Sequence, residues 1–382
     1  MMNQTIQQAN TQDNWVDTDL TRAEGEEFYI AEESPLLAAL SGLNQLYQIT
    51  DLMGIIIILG VAAAHNIPGE MLWVREYGGS RSGKTEMLRA IARHKDSVEM
   101  EAVTPAAVRG GLKGGHKLLE RIDKKLVITK DFASILTSRK DARNELAGLL
   151  RSVKDGSLTA DFGTEDGYVH QQCSFDWLIG TTGVYAQFKT MEDLLGSRYI
   201  DLNWRTSHRE EISLKALEND DRLVSEIRPE AARLVGRVID DAKERPVPVI
   251  PDDLKRTIAS WADFTARLRT PVARDYQHRI RLKPAPEVGT SLSQNLHRIA
   301  RSLLRIGIKA EDLKLYLARL CYDCVPYSRI QILKMGLMKM DTSNRWDIED
   351  MKALGILEEG EDGYNPKDNI RGVFENIKPY WF

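Results

Sequence analysis

Cysteine is scarce in this chain of 382 residues, which contains only Cys173, Cys321 and Cys324. Three thiols are too few for a disulfide framework, so we expect a reducing compartment and a cytoplasmic location. The pair in "CYDC" lacks the second pair or the nearby histidine cluster that would complete a zinc site. We therefore interpret Cys321 and Cys324 as two positions of one helix, three residues apart.

Long apolar runs and targeting signals are also missing. The apolar run "MGIIIILGVAAA" (53–64) is shorter than the roughly 20 residues that span a bilayer, so it predicts a buried helix. The amino-terminal "MMNQTIQQANTQDN" lacks the basic start and apolar core of a signal peptide. We expect no association with a membrane.

Excess positive charge is the third absence. The formal net charge of -4 excludes a uniformly basic nucleic-acid binder, so contacts with nucleic acid have to come from local patches. Apolar and charged contents of 42% and 28% are typical of a globular protein, and the length allows two or three domains.

A phosphate-binding loop is the clearest feature that is present. "YGGSRSGKTEML" (77–88) matches the pattern G-x-x-x-x-G-K-[ST], with a buried strand predicted in "MLWVREY" before it and a helix in "TEMLRAIARH" after it. In such a loop the backbone N–H groups and the positive end of the helix dipole hold the β-phosphate. The predicted nucleotide contacts are Gly78, Gly79, Ser80, Arg81, Ser82, Gly83, Lys84, Thr85 and Glu86.

The chemistry of this loop assigns roles to single residues. Lys84 should reach the β- and γ-phosphates, and Thr85 should offer its hydroxyl to Mg²⁺. Asp131, after the apolar run of "KLVITKDF", is predicted to hold the magnesium shell. Phe132 stands where many ATPases carry a glutamate that orients water, so the general base stays unassigned. Glu86 either lies near the metal or only favours the helix dipole.

A sensor of the γ-phosphate is predicted at the end of "FDWLIGTT" (175–182), on a strand expected between the acidic strand and the sheet edge. Thr182 is the candidate, and Thr181 is the alternative. A threonine is also common at strand ends for structural reasons alone.

Strands and helices alternate from about Met71 to Trp204, which predicts a mostly parallel, three-layer α/β sheet. "DGSLTADFGTEDGYVHQQCS" (155–174) predicts a β-hairpin with its turn at "TEDG". Four regions are expected: a flexible arm at 1–30, the sheet with preceding helices at 31–207, a basic helical region at 208–325, and a winged-helix-like region at 326–382. In the last region helix, turn, helix and a small hairpin follow one another.

The order of phosphate loop, "LVITKDF", hairpin, "IGTTG" and "LGSRYIDLNW" resembles the AAA+ ATPases, particularly those with a hairpin before the sensor strand, such as minichromosome-maintenance-type helicases. "LWVREYGGSRSGKTEML", "TPAAVRGGLKGG", "KDFASIL", "LLRSVKDG" and "LLGSRYIDL" look like AAA+ proteins encoded by phages and integrating mobile elements. The resemblance covers about Ser34 to Leu337. It implies ATP and Mg²⁺ as cofactors, a three-layer P-loop AAA+ core and a helical lid at 208–325.

The resemblance also implies roles for two arginines. Arg198 in "GSRY" matches an arginine finger that reaches the γ-phosphate held by a neighbouring subunit, so a homo-oligomeric ring or spiral, by analogy a hexamer, is implied. Arg298 in "NLHRIARSL" falls where the lid carries a second sensor arginine, and Arg301, one turn away, is the alternative.

Two basic segments are candidates for contact with DNA. Residues 254–309 contain twelve Lys or Arg against three Asp or Glu, which suits either a phosphate backbone or solvated helix faces with salt bridges between subunits. The loop "RGGLKGGHK" (109–117) lies where ring ATPases face their central pore, and its predicted DNA contacts are Arg109, Lys113, His116 and Lys117. Residues 326–382, with eight basic and ten acidic residues, instead favour a protein partner.

These expectations combine into an ATP-dependent AAA+ motor that acts on DNA, as a replication helicase or a helicase-like remodeller of a phage or mobile element. The alternative is a regulatory ATPase switch, such as a helicase loader, transposition regulator or defence component, that assembles with a protein partner. The third alternative is a nucleotide-binding scaffold that barely hydrolyses ATP.

Overall fold

The chain forms two compact units, residues 1–248 with 301–312 and residues 249–300 with 313–382. The computed structural model describes residues 15–16, 30–31, 34–79, 82–109, 117–161, 168–182, 198–219, 221–334, 345–360 and 363–381. None of the helices in these ranges has the length and apolarity needed to cross a bilayer.

The strands of the described residues are β1 Trp15–Val16, β2 Ile30–Ala31, β3 Trp73–Tyr77, β4 Ser97–Glu99, β5 Leu126–Thr129, β6 Ser157–Asp161, β7 Tyr168–Gln172, β8 Asp176–Thr181, β9 Ile200–Asn203, β10 Leu357–Gly360 and β11 Gly363–Pro366. The helices are α1 Pro35–Leu46, α2 Leu52–Ala64, α3 Lys84–Ala92, α4 Pro105–Val108, α5 Leu118–Ile122, α6 Ala133–Leu136, α7 Lys140–Lys154, α8 Arg209–Glu218, α9 Asp221–Glu244, α10 Asp252–Arg269, α11 Thr290–Arg305, α12 Leu313–Asp323, α13 Tyr327–Lys334, α14 Arg345–Ala353 and α15 Asp368–Trp381.

A parallel five-stranded sheet forms the centre of the first unit, in the order β4-β5-β8-β3-β9. Every residue of β5 and β8 is buried, as expected for strands of a sheet whose two faces are covered. Helices flank this sheet, so the predicted α/β class is confirmed. The strands β6 and β7 pair in antiparallel fashion, as the hairpin prediction required, and the turn at 162–167 lies outside the described residues.

The helices before the sheet are present, and α2 is buried along all of its 13 residues, as predicted. A side chain at Gly60 of α2 would meet Leu303, because a Cβ there would lie 2.8 Å from the Leu303 Cδ2 atom. The Gly60 carbonyl also accepts a 2.6 Å hydrogen bond from the Ser302 hydroxyl. This close approach explains why the carboxyl end of α11 belongs to the first unit.

An aromatic cluster fills one face of the sheet. The ring of Trp177 in β8 lies 5.2 Å from that of Trp73 in β3 and 5.6 Å from that of Phe132, in edge-to-face arrangements. The Trp177 Nε1 atom donates a hydrogen bond of 2.9 Å to the Thr129 hydroxyl in β5. The residues of α7 in the same cluster are Leu146, Ala147, Leu150 and Val153. Trp177 therefore ties the three central strands together.

The two units divide the chain differently from the predicted regions. Helix α9, placed in the predicted lid, packs against α1, α2 and α3 and belongs with the sheet. A Cβ on Gly42 of α1 would lie 2.8 Å from the Leu234 Cδ1 atom, so the glycine permits that approach. Residues 249–300 and 313–325 instead belong with 326–382. In the predicted arm, residues 15–16 pair with 30–31, and 1–14 and 17–29 lie outside the described residues.

The second unit contains the predicted order of helix, helix and hairpin, as α13, α14 and the pair β10–β11. The prediction omitted α15, which follows the hairpin. Phe264 of α10 lies against Phe374 and Trp381 of α15, at ring separations of 6.2 and 5.9 Å. The Trp381 Nε1 atom donates a 2.9 Å hydrogen bond to the Ala318 carbonyl. Helix α15 is thus part of the core of this unit.

Removing the indole that joins the central strands should destabilise the first unit. Trp177 is fully buried, so Trp177→Ala should lower the free energy of unfolding by about 3–5 kcal/mol. Urea unfolding followed by far-ultraviolet circular dichroism measures the change. Leu217→Ala is the control, since Leu217 is 83% exposed and its loss should matter by less than about 0.5 kcal/mol. A loss below about 1 kcal/mol for Trp177→Ala would contradict this account of the core.

Candidate nucleotide-binding site

The phosphate loop joins the end of β3 to the start of α3. Gly83 has a φ of 92°, in the left-handed region that favours glycine, and a Cβ there would lie 2.4 Å from the Tyr47 ring. At Gly78 a Cβ would lie 2.7 Å from the Trp204 Cβ atom. Ser80 and Arg81 lie outside the described residues. A side chain at either position would clash with its neighbours, so both positions require glycine. Glycines here allow the loop backbone to wrap around a phosphate.

Lys84 is folded into its own loop. Its ammonium donates hydrogen bonds of 2.7 Å to the Gly79 carbonyl and 2.8 Å to the Ser82 hydroxyl. The residue is 4% exposed, and burial lowers its pKa, whereas the neighbouring Glu76 carboxyl acts in the opposite direction. Among the described residues no carboxylate forms an ion pair with Lys84. The ammonium is thus held by neutral oxygens and lies where a phosphate would be bound.

Glu76, in β3, is a buried carboxyl that the sequence interpretation missed. It is fully buried, and within the described part of the chain neither side-chain oxygen has a hydrogen-bond partner. Burial raises its pKa from 4.5 to about 8, with Lys84 opposing the rise and Asp51 adding to it. The Tyr47 hydroxyl beside this group is also buried without a hydrogen-bond partner in the described part, and burial raises its pKa. Burial therefore favours the protonated, uncharged form of Glu76.

Glu86 has a partner that was not predicted. Its two oxygens accept hydrogen bonds of 2.9 and 2.8 Å from the Arg228 guanidinium in α9, and Arg89 donates a third of 2.6 Å. Burial alone would raise the pKa of Glu86, but the two arginines outweigh it and lower the pKa. The pair joins the phosphate-loop helix to α9. Thr85, the predicted magnesium ligand, is exposed at the start of the same helix.

Asp131 follows β5 at the same edge of the sheet, since the carboxyl ends of parallel strands meet there. It is exposed, and its Oδ1 atom accepts a 2.9 Å hydrogen bond from the Ala133 N–H. The Phe132 N–H donates to the Gly180 carbonyl of β8 at 3.0 Å. A Cβ on Gly180 would lie 2.6 Å from the Lys130 carbonyl oxygen and 2.8 Å from the Leu88 Cδ1 atom in α3. Gly180 thus lets the aspartate turn and the phosphate-loop helix meet over β8.

The oxygen donors present fit Mg²⁺ bound together with a nucleotide. Thr85 offers a hydroxyl and Asp131 a carboxylate, both exposed, and hard oxygen ligands are what Mg²⁺ prefers. Among the described residues there is no group of three or more His, Cys, Asp or Glu that would hold a metal alone. Phosphate oxygens and water would supply the rest of the shell. Phe132 is 1% exposed within the aromatic cluster, so this position supplies no general base.

The sensor strand is placed differently from the prediction. Strand β8 lies between β5 and β3, not between the acidic strand and the sheet edge, where β4 lies instead. Strand order in a parallel sheet does not follow chain order, because each connection can skip a neighbour. Thr182 is exposed at the end of β8, whereas Thr181 is 1% exposed. Of the two, Thr182 has the accessible hydroxyl.

The predicted arginine finger is paired within the chain. Arg198 Nη1 lies 2.6 Å and Nη2 3.4 Å from the two carboxylate oxygens of Asp155, just after α7. Arg298 is buried in the second unit at 6% exposure, and the alternative, Arg301, donates to the Pro248 carbonyl at 3.1 Å. In the chain as described, Arg198 and Arg301 thus make local contacts.

Several predicted DNA contacts also have acidic partners. Arg109 forms an ion pair with Glu145, and Lys117 with Glu120 at 2.8 Å, whereas Lys113 and His116 lie outside the described residues. In the segment 254–309 the ion pairs of the described residues include Lys255–Asp252, Arg267–Asp263, Arg269–Glu287, Arg274–Asp350 and Lys309–Glu311. Salt bridges therefore account for these members of the basic segment.

The three cysteines are buried. Burial raises the pKa values of Cys173 and Cys321 to about 12, so both are unreactive thiols at neutral pH. Cys321 lies in α12, and Cys324 follows the last residue of that helix. The structural interpretation of "CYDC" agrees with these positions, apart from Cys324 lying one residue beyond the helix.

Comparison with known protein families finds none that matches this chain, and no curated protein matches it. Among solved structures it is similar to a provisionally named ATPase from Cytophaga hutchinsonii, with 11% identity and a TM-score of 0.40 over 84% of this chain and 94% of that chain. The class of protein is defined by the chain's own features. A parallel sheet with a phosphate loop between β3 and α3 is the arrangement of P-loop nucleotide-binding folds.

The buried carboxyl of Glu76 should make stability depend on pH. Its folded pKa of about 8 lies above the ordinary 4.5, so below pH 4.5 it is protonated in both states. As pH rises through the window from 4.5 to 8, the unfolded state loses this proton first, and the free energy of unfolding falls. Glu76→Gln should remove this component and be more stable than wild type at about pH 8, by more than about 1 kcal/mol.

Urea unfolding at a series of pH values from about 5 to 8.5 measures the difference between the two proteins. Glu120→Gln is the matched control, because this carboxyl is 58% exposed and should leave the wild-type pH profile unchanged. A Glu76→Gln protein that is less stable than wild type at the upper end of the series would show that an ionised Glu76 stabilises the fold.

Proposed function

We propose that the chain binds ATP with Mg²⁺ at the loop from Gly78 to Glu86 and hydrolyses it. The observation that carries this proposal is the buried ammonium of Lys84, whose hydrogen bonds within the described part of the chain go to the Gly79 carbonyl and the Ser82 hydroxyl of its own loop. A phosphate group would replace these two neutral acceptors with charged ones, which makes stronger hydrogen bonds. The loop is therefore arranged to exchange an internal contact for a nucleotide contact.

The remaining roles follow from the positions around the loop. Thr85 and Asp131 would complete the Mg²⁺ shell, and Thr182 would contact the γ-phosphate from the end of β8. Arg198 would leave Asp155 and reach the nucleotide of a neighbouring subunit in a homo-oligomeric ring, which the AAA+ resemblance puts at six subunits. Arg298 would act as the second sensor arginine.

We propose further that ATP turnover is coupled to DNA, as in a replication helicase or a helicase-like remodeller of a phage or mobile element. The resemblance of the motifs to AAA+ proteins of such elements supports this function. Under this proposal the loop 109–117 grips DNA in the pore of a ring.

The second candidate is a regulatory ATPase switch that assembles with a protein partner through residues 326–382. Two observations favour it. Arg109 and Lys117 already have acidic partners, Glu145 and Glu120, so their charges are partly neutralised. Phe132 occupies the place of the water-orienting glutamate, which suits slow hydrolysis and a long-lived bound state.

ATP turnover with and without DNA separates these candidates. Lys84→Ala should reduce turnover about 100- to 1,000-fold, because a preorganised cation at the phosphates is lost. Under the motor proposal, single-stranded or forked DNA stimulates the wild-type protein, and a forked duplex is unwound. Lys95→Ala is the control, since this lysine pairs with Asp240 on the surface and should turn over ATP as wild type does. Turnover that DNA leaves unchanged would favour the switch, and normal turnover in Lys84→Ala would contradict the nucleotide site.

The Arg198–Asp155 pair allows a sharper test of the finger. As a finger acting between subunits, Arg198→Ala should lose about 1,000-fold or more in turnover, whereas Asp155→Ala should keep it because the arginine is only released. If Arg198 serves only the local salt bridge, the two variants should have equal and small effects. Steady-state turnover at protein concentrations that span assembly measures both, and equal losses would contradict the finger.

A further inference from the structure

A short hairpin at residues 273–281 belongs to the second unit. The Arg281 N–H donates to the Ala273 carbonyl at 2.9 Å, and the Asp275 N–H donates to the Arg279 carbonyl at 2.9 Å. The Asp275 carboxylate closes the turn by accepting hydrogen bonds of 2.8 and 2.9 Å from the N–H groups of Gln277 and Arg279. His278 takes a left-handed φ of 60° at the turn. The conformation of the hairpin is therefore defined by its own hydrogen bonds.

Arg274 fastens the hairpin to α14 in the same unit. Its guanidinium pairs with Asp350 at 2.6 Å and with Glu349 at 3.2 Å, and it lies 4.8 Å from the centre of the Trp346 ring. The His278 ring also packs against the Trp346 ring, with the two ring centres 5.2 Å apart. Arg274 therefore has a structural role, because its contacts and those of His278 hold the hairpin against α14.

The hairpin and the two residues after it, 282 and 283, carry exposed aromatic, apolar and basic side chains. The Tyr276 side chain is 90% exposed, and the Leu282 side chain is 71% exposed. Three exposed cations follow within the next few residues, and within the described part of the chain none of their side chains has an acidic partner: Arg279, Arg281 and Lys283. The protein has a net charge of -4, and five of the nine other basic residues of 254–309 form ion pairs with acidic residues, so an exposed cluster of three without such partners is distinctive.

We propose that this hairpin binds single-stranded DNA, with Tyr276 stacking on an unpaired base and Arg279, Arg281 and Lys283 contacting the phosphates. Exposed aromatic rings beside a positive surface are what single-strand binding uses, because every base has a face that stacks and every nucleotide has a charge. A paired base is covered on both faces by its neighbours, so a duplex would not satisfy Tyr276. In the proposed DNA-coupled ATPase, the hairpin would be a DNA contact outside the loop 109–117. Binding of DNA by the hairpin does not require the proposed function, whereas any effect of this binding on ATP turnover does.

Binding is measured by fluorescence anisotropy, with the full chain, no nucleotide and a labelled oligothymidylate of about 20 nucleotides, which exceeds the ~4–16-nucleotide site of a single module. Tyr276→Ala should weaken binding about tenfold, and Tyr276→Phe should restore it because the ring remains. The triple variant Arg279→Ala, Arg281→Ala and Lys283→Ala should reduce the slope of log affinity against log salt by about 2, as expected for three lost phosphate contacts.

Two matched controls come from the same unit. Tyr327→Ala removes a tyrosine that is 72% exposed elsewhere, and Lys367→Ala removes a half-exposed cation just after β11 that has no acidic partner among the described residues. Both should bind the oligonucleotide as wild type does. Equal weakening by the controls, wild-type affinity in Tyr276→Ala, or tighter binding of a duplex or of an RNA of the same length would each overturn the proposal.

The failure of this inference is distinguishable from that of the proposed function. Lys84→Ala should bind the oligonucleotide normally, since its change lies in the nucleotide loop. If the hairpin variants bind the oligonucleotide as wild type does, and DNA stimulates their ATP turnover equally, the hairpin proposal is wrong and the DNA-coupled ATPase stands. If the hairpin variants lose binding while DNA leaves wild-type turnover unchanged, the hairpin stands and the coupling is wrong.

Discussion

The hydrogen bonds from the Lys84 ammonium to its own loop are the interaction on which the site depends. They close the turn between β3 and α3, and they keep a buried cation satisfied where a phosphate would lie. The loop reaches this shape because Gly83 takes a left-handed φ beneath the Tyr47 ring, and because β3 is held at the centre of a parallel sheet. The buried carboxyl of Glu76 forms no hydrogen bond within the described part of the chain, so it does not occupy the Lys84 ammonium in place of a phosphate.

Charged residues around the site satisfy one another in the chain as described. Glu86 is held by Arg228, Arg198 by Asp155, and Arg109 by Glu145. In the proposed function, binding of a nucleotide, a subunit or DNA would exchange such pairs for new ones. The pairs Arg198–Asp155 and Arg109–Glu145 are partly exposed, and such pairs contribute little to stability, so exchanging them costs little and a modest change in binding can drive it. The segment 273–283 differs, because its three exposed cations, Arg279, Arg281 and Lys283, have no acidic partner to lose among the described residues.

The parts of the site that could be predicted are those encoded by consecutive residues. The loop from Gly78 to Thr85 follows from spacing alone, and apolar runs predicted the strands. Contacts between distant residues could not be predicted: Glu86 is paired across 142 residues of sequence, and Arg198 across 43. Glu76 was missed although its strand was predicted to be buried, because a carboxyl is seldom fully buried without a partner. Helix α15 was missed although its apolar residues recur at helical spacing.

The most direct measurement is the competition of ATP, ADP and AMP for the site, using a fluorescent ATP analogue with Mg²⁺. A loop that wraps the β-phosphate, with Lys84 at the β- and γ-phosphates, predicts that ATP and ADP displace the analogue and that AMP does so at least about 100-fold more weakly, since the charged contacts are lost. Competition by AMP equal to that of ATP, or displacement that is the same in wild type and in Lys84→Ala, would contradict the account.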